Sequence, residues 1–96
     1  ADCSGFVMSV FAQFGYSLPR VAADQYYQSV QKSVADLEPG DLVFYGSGIS
    51  HVALYIGDGQ IIHASTSASG IKISNYDYET PVGVGTYIES DGFYGE

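Results

Sequence analysis

The chain has 96 residues and a formal net charge of -8, from 11 acidic and three basic side chains. A chain of this length supports one domain with a modest hydrophobic core. So acidic a composition disfavours binding to nucleic acid and unaided adhesion to an anionic membrane. The sequence has no apolar stretch of about 18 residues, so it predicts no membrane span.

The N-terminal part of the chain predicts a largely buried helix over residues 4–14, because apolar side chains recur there at helical spacing. The apolar stripe consists of Phe6, Val7, Val10, Phe11 and Phe14. Asp2 is a favourable N-cap, which places Cys3 in the first turn, and Gly15 is a natural stop. A shorter helix is predicted over residues 22–29.

The second half of the chain predicts short antiparallel strands separated by glycine-rich turns. The predicted strands cover residues 42–45, 51–56, 60–64, 70–74 and 82–88. Residues 66–69 are predicted to form a loop of small side chains. Because the helices come first and the strands follow, the pattern predicts an α+β fold.

Cys3 is the only cysteine, and its position at a helix N-terminus favours the nucleophilic thiolate form. The only two histidines, His51 and His63, could then act as a base and the residue that orients it. The simpler interpretation is also open. A lone cysteine before an apolar helix is most often a small buried hydrophobic residue, and either histidine could be an ordinary core or surface side chain.

Whether the two histidines share one face of a hairpin depends on the turn at residues 57–59. A three-residue turn would place Ala53 opposite His63 and make His51 its diagonal neighbour, within reach of a long side chain. A plain two-residue turn would send the histidines to opposite faces. The catalytic hypothesis therefore requires a loop of odd length or a bulge.

If the three side chains converge, His51 takes the proton of Cys3, and His63 bonds the second nitrogen of His51 and fixes its tautomer. The backbone N–H groups of Cys3 and Ser4 would stabilise an oxyanion. A zinc site is the alternative, because one cysteine and two histidines are acceptable zinc ligands. The chain has no close ligand pair, such as Cys-x-x-Cys, to support that alternative.

Five segments of the chain resemble, in order, motifs of the NlpC-type cell-wall peptidases (the NlpC and p-sixty superfamily), a papain-like group of bacterial cysteine hydrolases. The segments are residues 2–6 (DCSGF), 18–20 (LPR), 37–44 (LEPGDLVF), 50–57 (SHVALYIG) and 62–65 (IHAS). The resemblance covers nearly the whole chain. It implies a papain-like α+β fold in which the nucleophile helix packs on a small antiparallel sheet.

The resemblance also implies amide hydrolysis through a thioester acyl-enzyme, with Cys3 as nucleophile, His51 as base and His63 as orienting residue. The implied partner is the stem peptide of peptidoglycan, cut between D-glutamate and a diamino acid, and no cofactor is implied. In some members the residues that match Asp2 and Ser4 help bind the free amine of a short stem peptide. The implied location is secreted or associated with a bacterial cell wall.

Residues 1–96 are therefore expected to form a single catalytic domain. The family normally has an upstream helix and an active-site tyrosine before the nucleophile motif, and we expect this chain to be truncated there. Targeting domains would lie elsewhere in a longer parent protein. Two further alternatives share the fold: an amidase or acyltransferase with a non-wall substrate, and a catalytically silent domain that binds wall peptides.

Overall fold

The computed structural model describes residues 2–64 and 70–88. Two helices precede the sheet strands: α1 (Cys3–Ala12) and α2 (Ala22–Gln28). The strands are β1 (Val30–Lys32), β2 (Leu42–Tyr45), β3 (His51–Gly57), β4 (Gln60–Ala64), β5 (Ile71–Asn75) and β6 (Gly83–Thr86), with a short 3-10 helix at Val34–Asp36. Within the described ranges the strands form one antiparallel sheet in the order β1-β6-β2-β3-β4-β5. The predicted α+β class is confirmed.

Helix α1 begins where the sequence places its cap. Asp2 is extended, and its Oδ1 accepts the N–H of Gly5 at 2.8 Å, which satisfies one of the free amides of the first turn. The helix ends at Ala12, two residues earlier than predicted, and Gly15 follows with a φ of 88°. Phe14 lies in this turn rather than in the buried stripe, so its predicted burial is wrong and it is 75% exposed.

The centre of the sheet is covered on both faces, and helix α1 packs against β3 and β4. Strand β2 is central, and all four of its side chains are buried because they alternate between two apolar clusters. The buried residues on the α1 side are Val7, Phe11, Leu18, Ala22, Leu42, Phe44 and Val52. The buried residues on the other side are Val43, Tyr45, Ala53, Ile61 and Val84.

The differences from the predicted elements lie mainly at the edge of the sheet and at element ends. Strand β1 and the 3-10 helix were not predicted, because a three-residue edge strand has no periodic pattern of its own. Helix α2 ends one residue earlier than predicted, and β6 covers only the middle of its predicted range. The loop predicted at 66–69 lies outside the described residues. No helix in the described part of the chain is long enough to cross a membrane.

Candidate active site

The hairpin of β3 and β4 turns at Asp58 and Gly59, whose φ angles of 55° and 75° suit a tight two-residue turn. A plain turn of this length would place the two histidines on opposite faces. The pairing register shifts between Tyr55 and Gly57, however, so β3 carries one extra residue. This bulge meets the condition derived from the sequence and returns the histidines to one face.

His51 and His63 are in direct contact. Nε2 of His51 lies 2.7 Å from Nδ1 of His63, and the two rings meet edge to face with centroids 5.0 Å apart. Nε2 of His63 lies 3.1 Å from Oγ of Ser74 on β5. Because this chain of contacts uses Nε2 of His51, the nitrogen of His51 that can receive a proton from elsewhere is Nδ1.

Both imidazoles are held in their neutral form. Burial lowers the pKa of His51, against the opposing effect of the negative charge of Glu79. Burial also lowers the pKa of His63, and the effects of a proton on His51 and of the positive charge of Lys72 act in the same direction. A neutral imidazole at neutral pH can accept a proton, which is the property a general base requires.

Two tyrosine rings pack against the histidine pair. The centroid of Tyr45 lies 5.9 Å from that of His51, and the centroid of Tyr78 lies 5.5 Å from that of His63. The Tyr45 hydroxyl donates to the carbonyl of Tyr76 at 2.8 Å, which fixes its ring. These rings supply part of the burial that keeps the histidines neutral. Neither tyrosine is distinguished by its local sequence, and Tyr45 lies directly opposite His51 because of the pairing of β2 with β3.

Cys3 is half-buried in the first turn of α1, on the helix that packs against the two histidine-bearing strands. A negative charge on Cys3 raises the pKa of Tyr78, after the larger effects of burial and of Glu79. The thiol is therefore within electrostatic reach of the ring that packs on His63. Among residues 2–64 and 70–88 the thiol makes no hydrogen bond, so the structure joins the two histidines directly and leaves Cys3 unbonded.

Asp2 and Ser4 flank the thiol, and both are bound by Arg20. The guanidinium donates to Oγ of Ser4 and to Oδ2 of Asp2, each at 3.0 Å. The hydrogen bonds from Arg20 and from the amide of Gly5 lower the pKa of Asp2. Arg20 lies in the LPR segment, and its local sequence predicts no role for it. Its contacts show that it holds the two side chains beside Cys3.

Gln25 of α2 is fully buried beneath the same turn. Its Nε2 donates to the carbonyl of Pro19 at 2.8 Å and to the carbonyl of Ser4 at 3.2 Å. Its backbone carbonyl accepts the hydroxyl of Tyr87 at 2.6 Å, while its side-chain oxygen Oε1 has no partner in the described part of the chain. Gln25 therefore ties the second helix to the turn that carries the thiol.

The described side chains do not support the zinc alternative. Among the residues whose positions are given, no three His, Cys, Asp or Glu side chains are grouped so that they could hold a metal ion. The nitrogen that each histidine directs towards the other is engaged in their mutual hydrogen bond. A shared metal would have to displace that bond.

Comparison with known proteins gives consistent matches. A family model described as the NlpC/P60 family matches residues 1–86. The chain is 50% identical over 76 residues to the probable endopeptidase p60 of Listeria seeligeri. The aligned segment covers 77% of this chain and 14% of that protein. It is 45% identical over 74 residues to the peptidoglycan endopeptidase RipB of Mycobacterium tuberculosis, 76% of this chain and 31% of that protein. The chain thus spans less than a third of these relatives.

Solved structures give the same result for the fold. The structure of the RipB peptidoglycan hydrolase of Mycobacterium tuberculosis superposes with a TM-score of 0.84 at 40% identity, over 92% of this chain and 45% of that one. RipD from the same organism is described as a non-catalytic NlpC/p60 domain protein adapted to peptidoglycan binding. Its structure superposes with a TM-score of 0.81 at 26% identity, over 92% of this chain and 67% of that one. These matches confirm the expected papain-like α+β fold.

Proposed function

This chain belongs to the NlpC/P60 family, and we propose that it is a cysteine peptidase domain that hydrolyses stem peptides of peptidoglycan. The name of the RipB relative, a peptidoglycan endopeptidase, supports a substrate in the cell wall, and the name of the Listeria relative supports an endopeptidase. The observation that carries the proposal is the 2.7 Å contact between Nε2 of His51 and Nδ1 of His63. With Nε2 of His51 directed at His63, Nδ1 is the nitrogen of His51 that accepts the thiol proton when the neutral ring carries its own proton on Nε2, and a cysteine nucleophile requires such a base.

The first step activates the thiol. His51 takes the proton of Cys3 on Nδ1, and the resulting imidazolium donates its Nε2 proton towards Nδ1 of His63. The thiolate lies at the N-terminus of α1, where unpaired N–H groups and the helix dipole favour negative charge. The fall in the pKa of His51 caused by burial makes transient protonation costly, and the nearby Glu79 offsets part of that cost.

In the second step the thiolate attacks the carbonyl carbon of the scissile amide. The negative charge that develops on the carbonyl oxygen is stabilised by the N–H groups of Cys3 and Ser4. These groups precede the first backbone bond of the helix, which runs from the N–H of Phe6 to the carbonyl of Asp2 at 2.9 Å. His51 then protonates the leaving amine, and a thioester with Cys3 forms.

Water completes the reaction. His51, again neutral, removes a proton from water as the water attacks the thioester carbonyl, and the peptide acid leaves as the thiol is restored. We propose that the bond cut joins D-glutamate to a diamino acid. The carboxylate of Asp2 and the hydroxyl of Ser4, held beside Cys3 by Arg20, are proposed to bind the free amine of a short stem peptide.

The place of action follows from the substrate. We propose that the domain works outside the cytoplasm, at the cell wall, and that other parts of a longer protein direct it there. A net charge of -8 gives the domain itself no electrostatic attraction to an anionic wall.

A thioester trap tests the proposed chemistry. The wild-type chain is mixed with a synthetic stem peptide, quenched in acid within milliseconds to seconds, and its intact mass is measured. We expect an adduct with the mass of the acyl half of the peptide, attached at Cys3, and no adduct on Cys3→Ala. The Ser17→Ala variant, changed at an exposed serine, is the control and should behave as wild type. Hydrolysis of the peptide by Cys3→Ala at the wild-type rate would contradict the proposal.

A non-catalytic domain that binds peptidoglycan is the second candidate. Two observations favour it: the thiol makes no hydrogen bond among the described residues, and RipD is a structural neighbour described as non-catalytic. Alkylation of Cys3 by iodoacetamide at about pH 6 separates the two functions, because an unactivated thiol reacts slowly there. Rapid alkylation supports the peptidase, whereas slow alkylation together with sedimentation on insoluble peptidoglycan supports the binding domain.

A further inference from the structure

We propose that Ser74 is a positioning residue of this site, whose hydroxyl oxygen accepts the Nε2 proton of His63 and thereby sets the direction of the hydrogen bond between the two histidines. The inference rests on the proposed function, because it concerns the proton path of the same site. The geometry that carries it is the 3.1 Å distance between Nε2 of His63 and Oγ of Ser74.

The sheet brings Ser74 and His51 to His63 in the same way, from the two strands that flank β4. In the pairing of β4 with β5, Ser74 lies opposite Ile61 and Lys72 lies opposite His63. Ser74 is therefore a diagonal neighbour of His63 across one strand boundary, and His51 is a diagonal neighbour across the other. Diagonal neighbours on one face are within reach of long side chains. His63 is only 2% exposed, so each of its ring nitrogens needs a partner within the protein.

The direction of the histidine bond decides whether His51 can act as a base. A neutral imidazole carries one proton. If that proton is on Nε2 of His63, it is donated to Ser74, and Nδ1 of His63 accepts from Nε2 of His51. Nδ1 of His51 then has a free lone pair for the proton of Cys3. If the proton of His63 is on Nδ1 instead, His51 must carry its own proton on Nδ1 and cannot accept another.

When His51 is protonated, the need for a hydrogen-bond acceptor at Nε2 of His63 is stronger still. Once His51 is an imidazolium, both of its nitrogens are donors, so Nδ1 of His63 must accept and Nε2 of His63 must hold the proton. An acceptor at Ser74 is then the group that satisfies the buried Nε2–H. Ser74 is half-buried, so its own hydroxyl proton can be donated to water while its oxygen serves His63.

The neighbouring groups are compatible with this direction. The ammonium of Lys72, opposite His63, disfavours a second proton on that ring and has no lone pair to offer it. On the other side of the pair, Glu79 favours a charged His51. Within residues 2–64 and 70–88, the other titratable groups with a ring contact or a charge effect at the pair and its tyrosines include Cys3, Tyr45 and Tyr78. Neither tyrosine ring is hydrogen-bonded to Nε2 of His63, so Ser74 is its acceptor within the described residues.

The test uses variants of Ser74 and two measurements that need no substrate. Ser74→Ala removes the oxygen, whereas Ser74→Thr keeps it. Ser74→Val matches threonine in shape but has a methyl group in place of the hydroxyl, so this pair isolates the oxygen even if alanine disturbs the edge strand. The rate of alkylation of Cys3 by iodoacetamide is measured from pH 5 to pH 9, and ¹⁵N chemical shifts of the imidazoles report the tautomer of His63. Ser17→Ala is the control.

We expect Ser74→Ala and Ser74→Val to be alkylated about tenfold more slowly than wild type at neutral pH, the effect of one lost hydrogen bond. Their ¹⁵N shifts should show less of the Nε2–H tautomer of His63. Ser74→Thr should resemble wild type in both measurements. Wild-type alkylation profiles and tautomers in folded Ser74→Ala and Ser74→Val would overturn the proposal.

The outcomes for Ser74 and for the proposed function are separable. Suppose that wild type and Ser74→Thr are alkylated rapidly and that Ser74→Val is alkylated slowly. Ser74 then positions His63, whether or not wild type cleaves peptidoglycan. If wild type cleaves peptidoglycan and all three variants keep its kcat, KM and pH profile, the proposed function stands and the role of Ser74 is wrong.

Discussion

At the residue scale, burial of the two histidines should make the folded chain less stable at low pH, and this loss of stability can be measured. Burial lowers the pKa of both His51 and His63 in the folded chain, whereas in the unfolded chain each titrates near its ordinary value of about 6.5. As the pH falls through that value, the unfolded chain therefore binds protons that the folded chain does not. The contribution of the two histidines to the free energy of unfolding should be constant above about pH 7 and should decrease as the pH falls from about 6.5 through the lowered pKa values.

Urea unfolding at about pH 7.5 and about pH 5.5 measures this decrease. His63→Asn is the matched variant, because asparagine keeps hydrogen-bonding capacity at that position but does not titrate. Its loss of stability between the two pH values should be smaller than that of wild type. An equal loss in both proteins would show that His63 is not held neutral by burial.

Residues of this site differ in how well the sequence alone predicts them. Cys3 and the two histidines are rare in this chain and lie in recognisable segments, so their chemistry could be inferred. Ser74 and Tyr78 could not, because serine and tyrosine are common here and these two matter only through the tertiary structure, in which strand β5 and the segment after it bring them to His63. The position of Ser74 is set by the pairing register of β4 with β5, which local sequence does not contain.

At the element scale, Gln25 fastens α2 to the first turn of α1. In Gln25→Met the side chain keeps its length but no longer donates to the carbonyls of Ser4 and Pro19. Those lost bonds destabilise the fold, and removal of the unpartnered Oε1 offsets part of the loss. We expect the free energy of unfolding to fall by about 1 kcal/mol, the net value of a hydrogen bond. Equilibrium denaturation in urea measures it.

Gln28→Met is the control for this change, since it makes the same substitution at an exposed position of the same helix. It should alter stability by less than about 0.5 kcal/mol. If Gln25→Met proved as stable as Gln28→Met, the buried amide would not be what fastens the two helices.

Helix α1 and the hairpin of β3 and β4 show why some elements are predictable and others are not. The cap at Asp2 and the stop near Gly15 act through neighbouring residues, so the helix could be placed to within two residues. The hairpin could be placed, but its bulge between Tyr55 and Gly57 could only be stated as a requirement. The bulge depends on which side chains the completed sheet buries, and that is a property of the tertiary structure.

At the scale of the whole molecule, the acidic surface predicts a dependence on salt. Like charges repel the domain from a wall that carries anionic groups, and salt screens that repulsion. We expect cleavage of intact walls to rise by at least about twofold between about 10 mM and about 150 mM salt. Cleavage of a short soluble stem peptide is the control and should change less. A fall in wall cleavage over the same range would contradict this account of the charge.

The order of the sheet was the least predictable feature of the molecule. Strand β1 pairs with β6, so that Val30 lies opposite Thr86 across more than half of the chain. The hydroxyl of Tyr87 likewise reaches the carbonyl of Gln25. Such contacts have no signature in any one segment. The resemblance to a family could imply the overall fold, but the residues themselves supported only the α+β class.

The central claim is that Cys3, activated by the histidine pair, cuts a stem-peptide bond. Purified peptidoglycan is digested with wild type, with Cys3→Ala and with the Ser17→Ala control, and the soluble fragments are identified by mass spectrometry. Wild type and the control should release fragments that end in D-glutamate, with new amino-terminal diamino acids left on the complementary products, and Cys3→Ala should release none. Equal release by Cys3→Ala, or no release by folded wild type, would contradict the account.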